Sequence, residues 1–198
     1  LISLDYHHTL QAASGEAAEK AREAAMAENK GKYVVVVDGA VPTKDGGLYS
    51  TIAGVSNLDM LKATAKDAMA VIAVGTCAAF GGIPKARPNP TGAAAIDEII
   101  TDKPIINIPG CPPIPEAMAG VVSYLVSFGK LPELDHLRRP KAFFGETIHD
   151  RCYRRPFYER GLFAEGFDDA GARQGWCLYK VGCKGPVTYN ACATLKWN

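Results

Sequence analysis

Short apolar runs alternate with amphipathic stretches along the first two thirds of this chain. Residues 33–37 and 70–74 are continuous apolar runs, which are typical of strands covered on both faces of a sheet, and residues 104–108 predict a third strand. A fourth strand is predicted at residues 141–144. Helices are predicted over residues 16–28, 57–66, 91–100 and 116–128.

Strands that alternate with helices in this way predict βαβ units and a parallel sheet, and therefore an α/β fold. Ligands of such sheets bind beyond the carboxyl ends of the strands. Asp38, Cys77 and Cys111 each follow one of the predicted strands, so we expect all three at that edge. Cys77 lies in a predicted Gly-rich turn, and Cys111 lies in a predicted Pro-rich turn.

The pattern changes after about residue 147, where Pro and Gly become frequent and no long helix is predicted. We therefore expect a first domain over residues 1–146 and a loop-rich second region over residues 147–198. Four of the six cysteines lie in that second region, and a bound metal cluster is one way to organise such a segment.

The composition is ordinary for a globular domain: 198 residues, 47% hydrophobic and 22% charged. The net charge of +1 and the lack of a basic stripe argue against a nucleic-acid partner. No run approaches the roughly 20 apolar residues of a membrane-spanning helix. Arg151, Arg154 and Arg155 form a small basic group, which is either a solvated turn or a docking patch for an acidic redox partner.

The six cysteines favour metal ligation over disulfides, because disulfide frameworks typify short secreted domains that lack a large core. His149 and Cys152 have i, i+3 spacing, and with Cys177 and Cys183 they form a complete Cys₃His set. That set suits a structural zinc ion or an iron–sulfur cluster. Zinc-binding pairs usually have shorter spacing than the six-residue step from Cys177 to Cys183.

The other three cysteines are ambiguous by themselves. Cys77 fits a cluster ligand or a buried free thiol, and Cys111 fits a cluster ligand or a rigid turn before a helix. Two ligands cannot hold a four-iron cluster, so further ligands have to come from elsewhere. Cys192 is either inert or the start of another site. No motif for a catalytic nucleophile, a phosphate loop or a zinc protease is present, and no catalytic residue is predicted.

Six segments, in order along the whole chain, resemble the small subunit of nickel–iron hydrogenases of the periplasmic, uptake type. They are SLDY at 3–6, GTCAAFGG at 75–82, KARPNPTG at 85–92, GCPP at 110–113, HDRC at 149–152 and WCLYKVGCKGP at 176–186.

The resemblance implies a flavodoxin-like parallel-sheet domain followed by an irregular iron–sulfur-binding region. It implies an electron-transfer subunit, which relays electrons from H₂ oxidation at the nickel–iron site of a partner large subunit to an acceptor such as a cytochrome. The chain would thus be part of an oxidoreductase whose active site is on the partner. The implied ligands are Cys77 and Cys111 for a proximal 4Fe–4S cluster, His149, Cys152, Cys177 and Cys183 for a distal 4Fe–4S cluster, and Cys192 for a medial 3Fe–4S cluster.

The family's remaining proximal ligands belong to an N-terminal Cys-x-x-Cys, and two further medial ligands follow the position of Cys192. Neither pair is in the sequence, so we expect a fragment that lacks both ends. The resemblance also implies a periplasmic location, with or without membrane association. Two alternatives stay open from the residues alone: a zinc-stabilised binding module without redox activity, and a flavin carrier on the same sheet.

Overall fold

The computed structural model of this protein describes residues 2–197. By its internal contacts the chain divides into two compact units, Leu1–Pro132 and Glu133–Asn198. The domain boundary predicted between residues 146 and 147 stays a prediction. Within residues 2–197, no helix is both long enough and apolar enough to cross a membrane.

The described part of the first unit contains short strands and helices in alternation. Its strands are β1 (Val34–Asp38), β2 (Val41–Pro42), β3 (Thr51–Ile52), β4 (Val55–Ser56), β5 (Ala70–Val74), β6 (Ala93–Ala94) and β7 (Ile105–Ile108). Its helices are α1 (Gly15–Glu28), α2 (Asn57–Ala65), α3 (Gly75–Phe80), α4 (Gly82–Lys85), α5 (Ile96–Ile99) and α6 (Pro115–Phe128), with a 3₁₀ turn at Lys44–Gly47.

The main sheet of the first unit is parallel, as predicted, with β5 between β1 and β7. In its register Val36 lies opposite Ile72, and Ile72 lies opposite Ile106. The strands β5 and β7 are buried on both faces: Val, Ile and Ala side chains occupy the two sides of β5, and Ile side chains with the buried Asn107 occupy those of β7. The predicted α/β fold with a parallel sheet is therefore confirmed.

The strand β1 differs from the expectation of burial on both faces. Val35 and Val37 pack against the core, whereas Val36, on the opposite face, is 59% exposed. Successive side chains of a strand point to opposite faces, so β1 is covered on one side only within the described residues. An apolar run predicts a strand, but it does not show which faces the other elements cover.

The helix predicted over residues 91–100 is shorter in the structure, where only α5 is helical. Ala93–Ala94 pairs instead with Val41–Pro42 as an antiparallel strand. The Asn89 side chain fixes this arrangement, because its amide oxygen accepts the Ala93 N–H at 2.7 Å and its amide nitrogen donates to the Ala93 carbonyl oxygen at 3.1 Å. Side-chain hydrogen bonds of Asn often compete with helix formation in this way.

The described part of the second unit has only short helices joined by turns. They are α7 (Lys141–Phe144), α8 (Arg155–Glu159), α9 (Ala170–Arg173) and α10 (Cys192–Leu195), with 3₁₀ turns at His149–Arg151, Tyr179–Val181 and Gly185–Val187. An internal ion pair anchors the unit: Arg139 contacts Asp135 at 2.7 Å, and its guanidinium lies 5.7 Å from the ring centres of both Phe144 and Tyr189.

The strand predicted at residues 141–144 is wrong, because these residues form the helix α7. The carbonyl oxygen of Pro140 accepts hydrogen bonds from the N–H groups of Phe143 and Phe144, both at 3.0 Å, and starts a helical turn. Phe144 is fully buried. Apolar periodicity over four residues does not distinguish a buried strand from a buried helical turn.

Candidate metal centre

Cys77 and Cys111 lie at the same edge of the main sheet, as predicted. They follow the neighbouring strands β5 and β7, whose carboxyl ends meet there because the strands are parallel. The residues before them are joined by two hydrogen bonds: Thr76 N–H donates to the Gly110 carbonyl oxygen at 2.9 Å, and Gly110 N–H donates to Thr76 Oγ1 at 3.1 Å. Each cysteine is therefore one residue away from a shared hydrogen-bonded contact.

The surroundings of Cys77 differ from the predicted turn, because the residue lies in the short helix α3. Gly82, which follows that helix, has φ +55°, and a Cβ atom at this position would lie 2.6 Å from Cys77 Sγ. Real Cβ atoms do not approach sulfur so closely, so only glycine leaves the thiol its space. The glycine after the helix is thus part of the environment of the Cys77 sulfur.

Gly110 has a similar role before Cys111. It has φ +149°, and a Cβ atom on it would lie 2.4 Å from the Cα atom of Pro113. The chain can therefore fold back over this residue only because it has no side chain. Cys111 itself is exposed at the resulting turn.

The second unit holds the Cys₃His set on three separate turns. His149 opens a 3₁₀ turn, and Cys152 ends it with its N–H donating to the His149 carbonyl oxygen at 3.3 Å. Cys177 is buried, and its backbone pairs with Leu162 and Ala164 on either side of an isolated bridge to Phe163.

The turn of Cys183 lies next to that of His149. Gly185 N–H donates to Cys183 Sγ at 3.3 Å, and a Cβ atom at Gly185 would lie 3.3 Å from that sulfur and 3.6 Å from the backbone nitrogen of His149. A side chain at position 185 would therefore be tight against the Cys183 sulfur and within ordinary contact distance of the His149 backbone. The exposed thiol of Cys183 and the imidazole-bearing turn are neighbours, as the ligand set requires.

Arg154 connects the turn of Cys152 with that of Cys177. Its backbone N–H donates to Cys152 Sγ at 3.4 Å, and its guanidinium Nη1 donates to the Trp176 carbonyl oxygen at 2.7 Å. Among residues 2–197, no three or more His, Cys, Asp or Glu side chains are arranged to hold a single metal ion. The three turns are therefore neighbours in the second unit, but their side chains do not converge on a single ion.

The residues present fit an iron–sulfur cluster in their donor chemistry. All six cysteines are free thiols. Backbone N–H groups point at two of the sulfurs, Cys152 and Cys183, and such donors are typical of thiolates that bind clusters. The glycines at 82 and 185 leave space beside the sulfurs of Cys77 and Cys183 that a side chain would fill.

Cys192 begins α10 and is half-buried. The helix α10 packs against the 3₁₀ turn of His149. The structure thus places this cysteine in the same unit as the Cys₃His set, and its assignment to a separate medial site stays a prediction.

The sequence interpretation missed an aromatic group that contacts His149 through Tyr158. The Tyr158 ring meets the imidazole edge-on at a centroid distance of 4.7 Å, and Phe163 and Tyr179 each lie 5.7 Å from Tyr158. The frequency of aromatic residues between the cysteines was the available signal. Of these rings Tyr158 contacts the histidine directly, and the Tyr158 and Tyr179 side chains remain partly exposed.

The predicted basic group is less positive than its arginines suggest. Arg151 pairs with Glu146 at 2.7 Å and Arg155 pairs with Glu159 at 3.0 Å, and all four side chains are exposed. A hydrogen bond from the Thr147 hydroxyl, followed by one from its N–H, lowers the pKa of the Asp150 carboxyl. That carboxyl is therefore ionised at neutral pH, and three carboxylates offset much of the positive charge.

Two family models match the chain. One, described as NADH ubiquinone oxidoreductase, 20 Kd subunit, matches residues 1–125. The other describes the C-terminal part of the NiFe/NiFeSe hydrogenase small subunit and matches residues 144–198, which include the Cys₃His set.

Curated relatives match over the whole chain. The uptake hydrogenase small subunit of Azotobacter vinelandii is 54% identical over 198 residues, which are 100% of this chain and 55% of that protein. The hydrogenase-1 small chain of Citrobacter freundii is 50% identical over 198 residues, 100% of this chain and 53% of that protein. The chain thus spans about half the length of the curated relatives it matches.

Solved structures also match over the whole chain. The NiFeSe hydrogenase of Desulfovibrio vulgaris Hildenborough has a TM-score of 0.89 and 36% identity, and the match covers 100% of this chain and 75% of that one. The Ni-Fe-Se hydrogenase of Desulfomicrobium baculatum has a TM-score of 0.88 and 35% identity, with coverage of 100% and 76%.

Proposed function

Because this chain belongs to the family of nickel–iron hydrogenase small subunits, we propose that it is the electron-transfer subunit of a hydrogenase. Its partner would be a large subunit that carries the nickel–iron site, where H₂ is oxidised. The observation that carries the proposal is the Cys₃His set, whose turns are neighbours within the residues that match the C-terminal family model.

Under this proposal the candidate ligands belong to three sites. Cys77 and Cys111 would hold a proximal 4Fe–4S cluster together with further ligands, and Cys192 would contribute to a medial 3Fe–4S cluster. The Cys₃His set would hold a distal 4Fe–4S cluster: His149, Cys152, Cys177 and Cys183. When bound, such clusters supply the one-electron redox chemistry that protein side chains lack.

The residues of this chain would hold the cluster and influence its reduction potential. The thiolates supply negative ligands, whereas the imidazole of His149 is neutral and so favours a higher reduction potential at its site. Backbone N–H groups of Arg154 and Gly185 stabilise negative charge on the sulfurs of Cys152 and Cys183. The Tyr158 ring packs edge-on against the His149 imidazole and helps to hold its orientation.

We place the exit of electrons at the turn of His149, with an acceptor such as a cytochrome docking there. The surface near this turn combines exposed tyrosines with the exposed basic side chain of Lys184. A periplasmic location accords with a partner of this kind and is part of the proposal.

Replacing one ligand tests the proposal. In the full-length chain bound to its large subunit, Cys183→Ala should lower the iron content by about four atoms per complex, because a cluster that loses a thiolate ligand does not assemble. The loss is measured by metal analysis and by electron paramagnetic resonance of the reduced complex. The matched control is His136→Ala, since His136 lies in an exposed loop of the same unit and is not assigned to a site. Equal iron content in the Cys183→Ala complex and the wild type would contradict the proposal.

A further inference from the structure

Arg154 is the side chain that joins two of the cysteine-bearing turns of the second unit. Its guanidinium donates to the carbonyl oxygen of Trp176, which belongs to the peptide unit that leads into Cys177. Its backbone N–H donates to Cys152 Sγ. One residue therefore fixes the turns of two proposed ligands of the same site.

The charge of Arg154 is in a different environment from that of its neighbours. Arg151 and Arg155 are exposed and form ion pairs with Glu146 and Glu159. Arg154 is half-buried, and its guanidinium contacts a neutral carbonyl oxygen, the Tyr153 hydroxyl at 3.1 Å and the face of the Tyr153 ring at 5.3 Å. None of these partners carries a negative charge that would cancel the arginine, and partial burial weakens screening by water.

A positive charge next to a thiolate-bound cluster stabilises the reduced state, which carries one more electron, over the oxidised state. We propose that Arg154 is a positioning residue of the Cys₃His site, which ties the turn of Cys152 to that of Cys177 and raises the reduction potential of the cluster bound there. This inference rests on the proposed function and goes beyond it by assigning the role to a residue that is not a ligand.

The test compares Arg154→Gln with Arg155→Gln in the full-length chain bound to its large subunit. The readout is a potentiometric titration followed by the paramagnetic signal that is lost in Cys183→Ala. Arg154→Gln should lower the ratio of reduced to oxidised cluster at a fixed potential about tenfold. For a one-electron couple this corresponds to a reduction potential lower by about 59 mV. Arg155→Gln should leave it within about twofold of wild type, because the Arg155 guanidinium is exposed and screened. Equal potentials in the two variants would overturn the inference.

Arg154→Lys keeps the proposal testable if Arg154→Gln does not retain iron. Lysine preserves the charge, so this variant should retain the cluster. Its ratio of reduced to oxidised cluster at a fixed potential should stay within about twofold of the wild-type ratio. Loss of iron in Arg154→Lys as well would assign a purely structural role and overturn the electrostatic one. A wild-type complex that shows no such signal would instead contradict the proposed function itself, so the two failures are distinguishable.

Discussion

Gly82 determines the space around the sulfur of Cys77. A Cβ atom at this position would lie 2.6 Å from Cys77 Sγ. Gly82→Ala in the full-length complex should therefore displace the thiol and abolish assembly of the proximal cluster, which lowers the iron content by about four atoms. Metal analysis of the purified complex measures this loss.

The matched control is Gly129→Ala. Gly129 has φ +60°, close to the +55° of Gly82, but a Cβ atom there would meet nothing within 4 Å. Both variants put a side chain on a residue with positive φ, at a cost of about 1 kcal/mol, and only one of them crowds a cysteine. Similar iron contents in the two variants would show that the contact with Cys77 is not what makes Gly82 necessary.

Residue types could be predicted from the sequence more reliably than their surroundings. The glycines that flank Cys77 predict a Gly-rich turn. The structure shows a different use of Gly82, which clears space for the Cys77 sulfur itself. The role of Arg154 could not be predicted, because its contact with Trp176 spans 22 positions in the chain and depends on the fold of the second unit.

At the scale of elements, the turn between Leu134 and Pro140 depends on one ion pair. Asp135 accepts hydrogen bonds from Arg139 Nε at 2.8 Å and from the N–H groups of Leu137 and Arg139, both at 2.9 Å. Asp135→Ala should destabilise the second unit by about 2–3 kcal/mol, because it leaves the arginine charge unpaired in a site where both side chains are only 13% exposed. Hydrogen exchange of residues 133–145 measures the change.

The control for that prediction is Glu133→Ala, which removes the exposed ion pair between Glu133 and Lys141. Exposed pairs contribute about 0–1 kcal/mol, so this variant should exchange nearly as slowly as the wild type. Faster exchange of the same size in both variants would contradict the structural role assigned to Asp135.

The same ion pair predicts how stability depends on pH. Burial alone raises the pKa of the Asp135 carboxyl, but the hydrogen bonds from Arg139 and Leu137, together with the arginine charge, outweigh it and lower the pKa. The stabilisation is therefore full above the unfolded-state pKa of about 3.9 and is lost as the pH falls through the lowered folded-state value. Denaturant titrations of wild type and Asp135→Ala should converge at acidic pH; a difference that persists there contradicts the assignment.

Elements with a strong local signal could be predicted, and elements set by tertiary contacts could not. The strands β5 and β7 are short, mainly apolar runs followed by glycine or proline, and both lie where the sequence predicts them. Residues 141–144 have β-like composition but form α7, because the carbonyl oxygen of Pro140 starts a helical turn. The helix α5 is shorter than predicted because Ala93–Ala94 pairs with Val41–Pro42.

At the scale of the whole molecule, the proposed docking of an acidic acceptor depends on a modest net charge. Ion pairs offset Arg151 and Arg155, whereas Lys184 is exposed beside Cys183. Lys184→Gln should slow reduction of the acceptor about two- to threefold at low salt, and the difference should vanish at high salt, where surface charges are screened. Stopped-flow reduction of the acceptor gives the rates.

An uncharged electron-accepting dye is the control for that experiment, because its encounter rate does not depend on surface charge. Lys184→Gln and wild type should reduce the dye at the same rate at every salt concentration. An unchanged rate with the protein acceptor at low salt would contradict docking by charge at this surface.

The central claim is that this chain holds iron–sulfur clusters and carries electrons for a partner subunit. The most direct test is the metal and acid-labile sulfide content of the full-length chain bound to its large subunit, together with its visible spectrum. The account predicts iron with sulfide and a broad visible absorption that bleaches on reduction. Zinc without colour would indicate a structural binding module, and a structured yellow spectrum without iron would indicate a flavin carrier; either result would contradict the account.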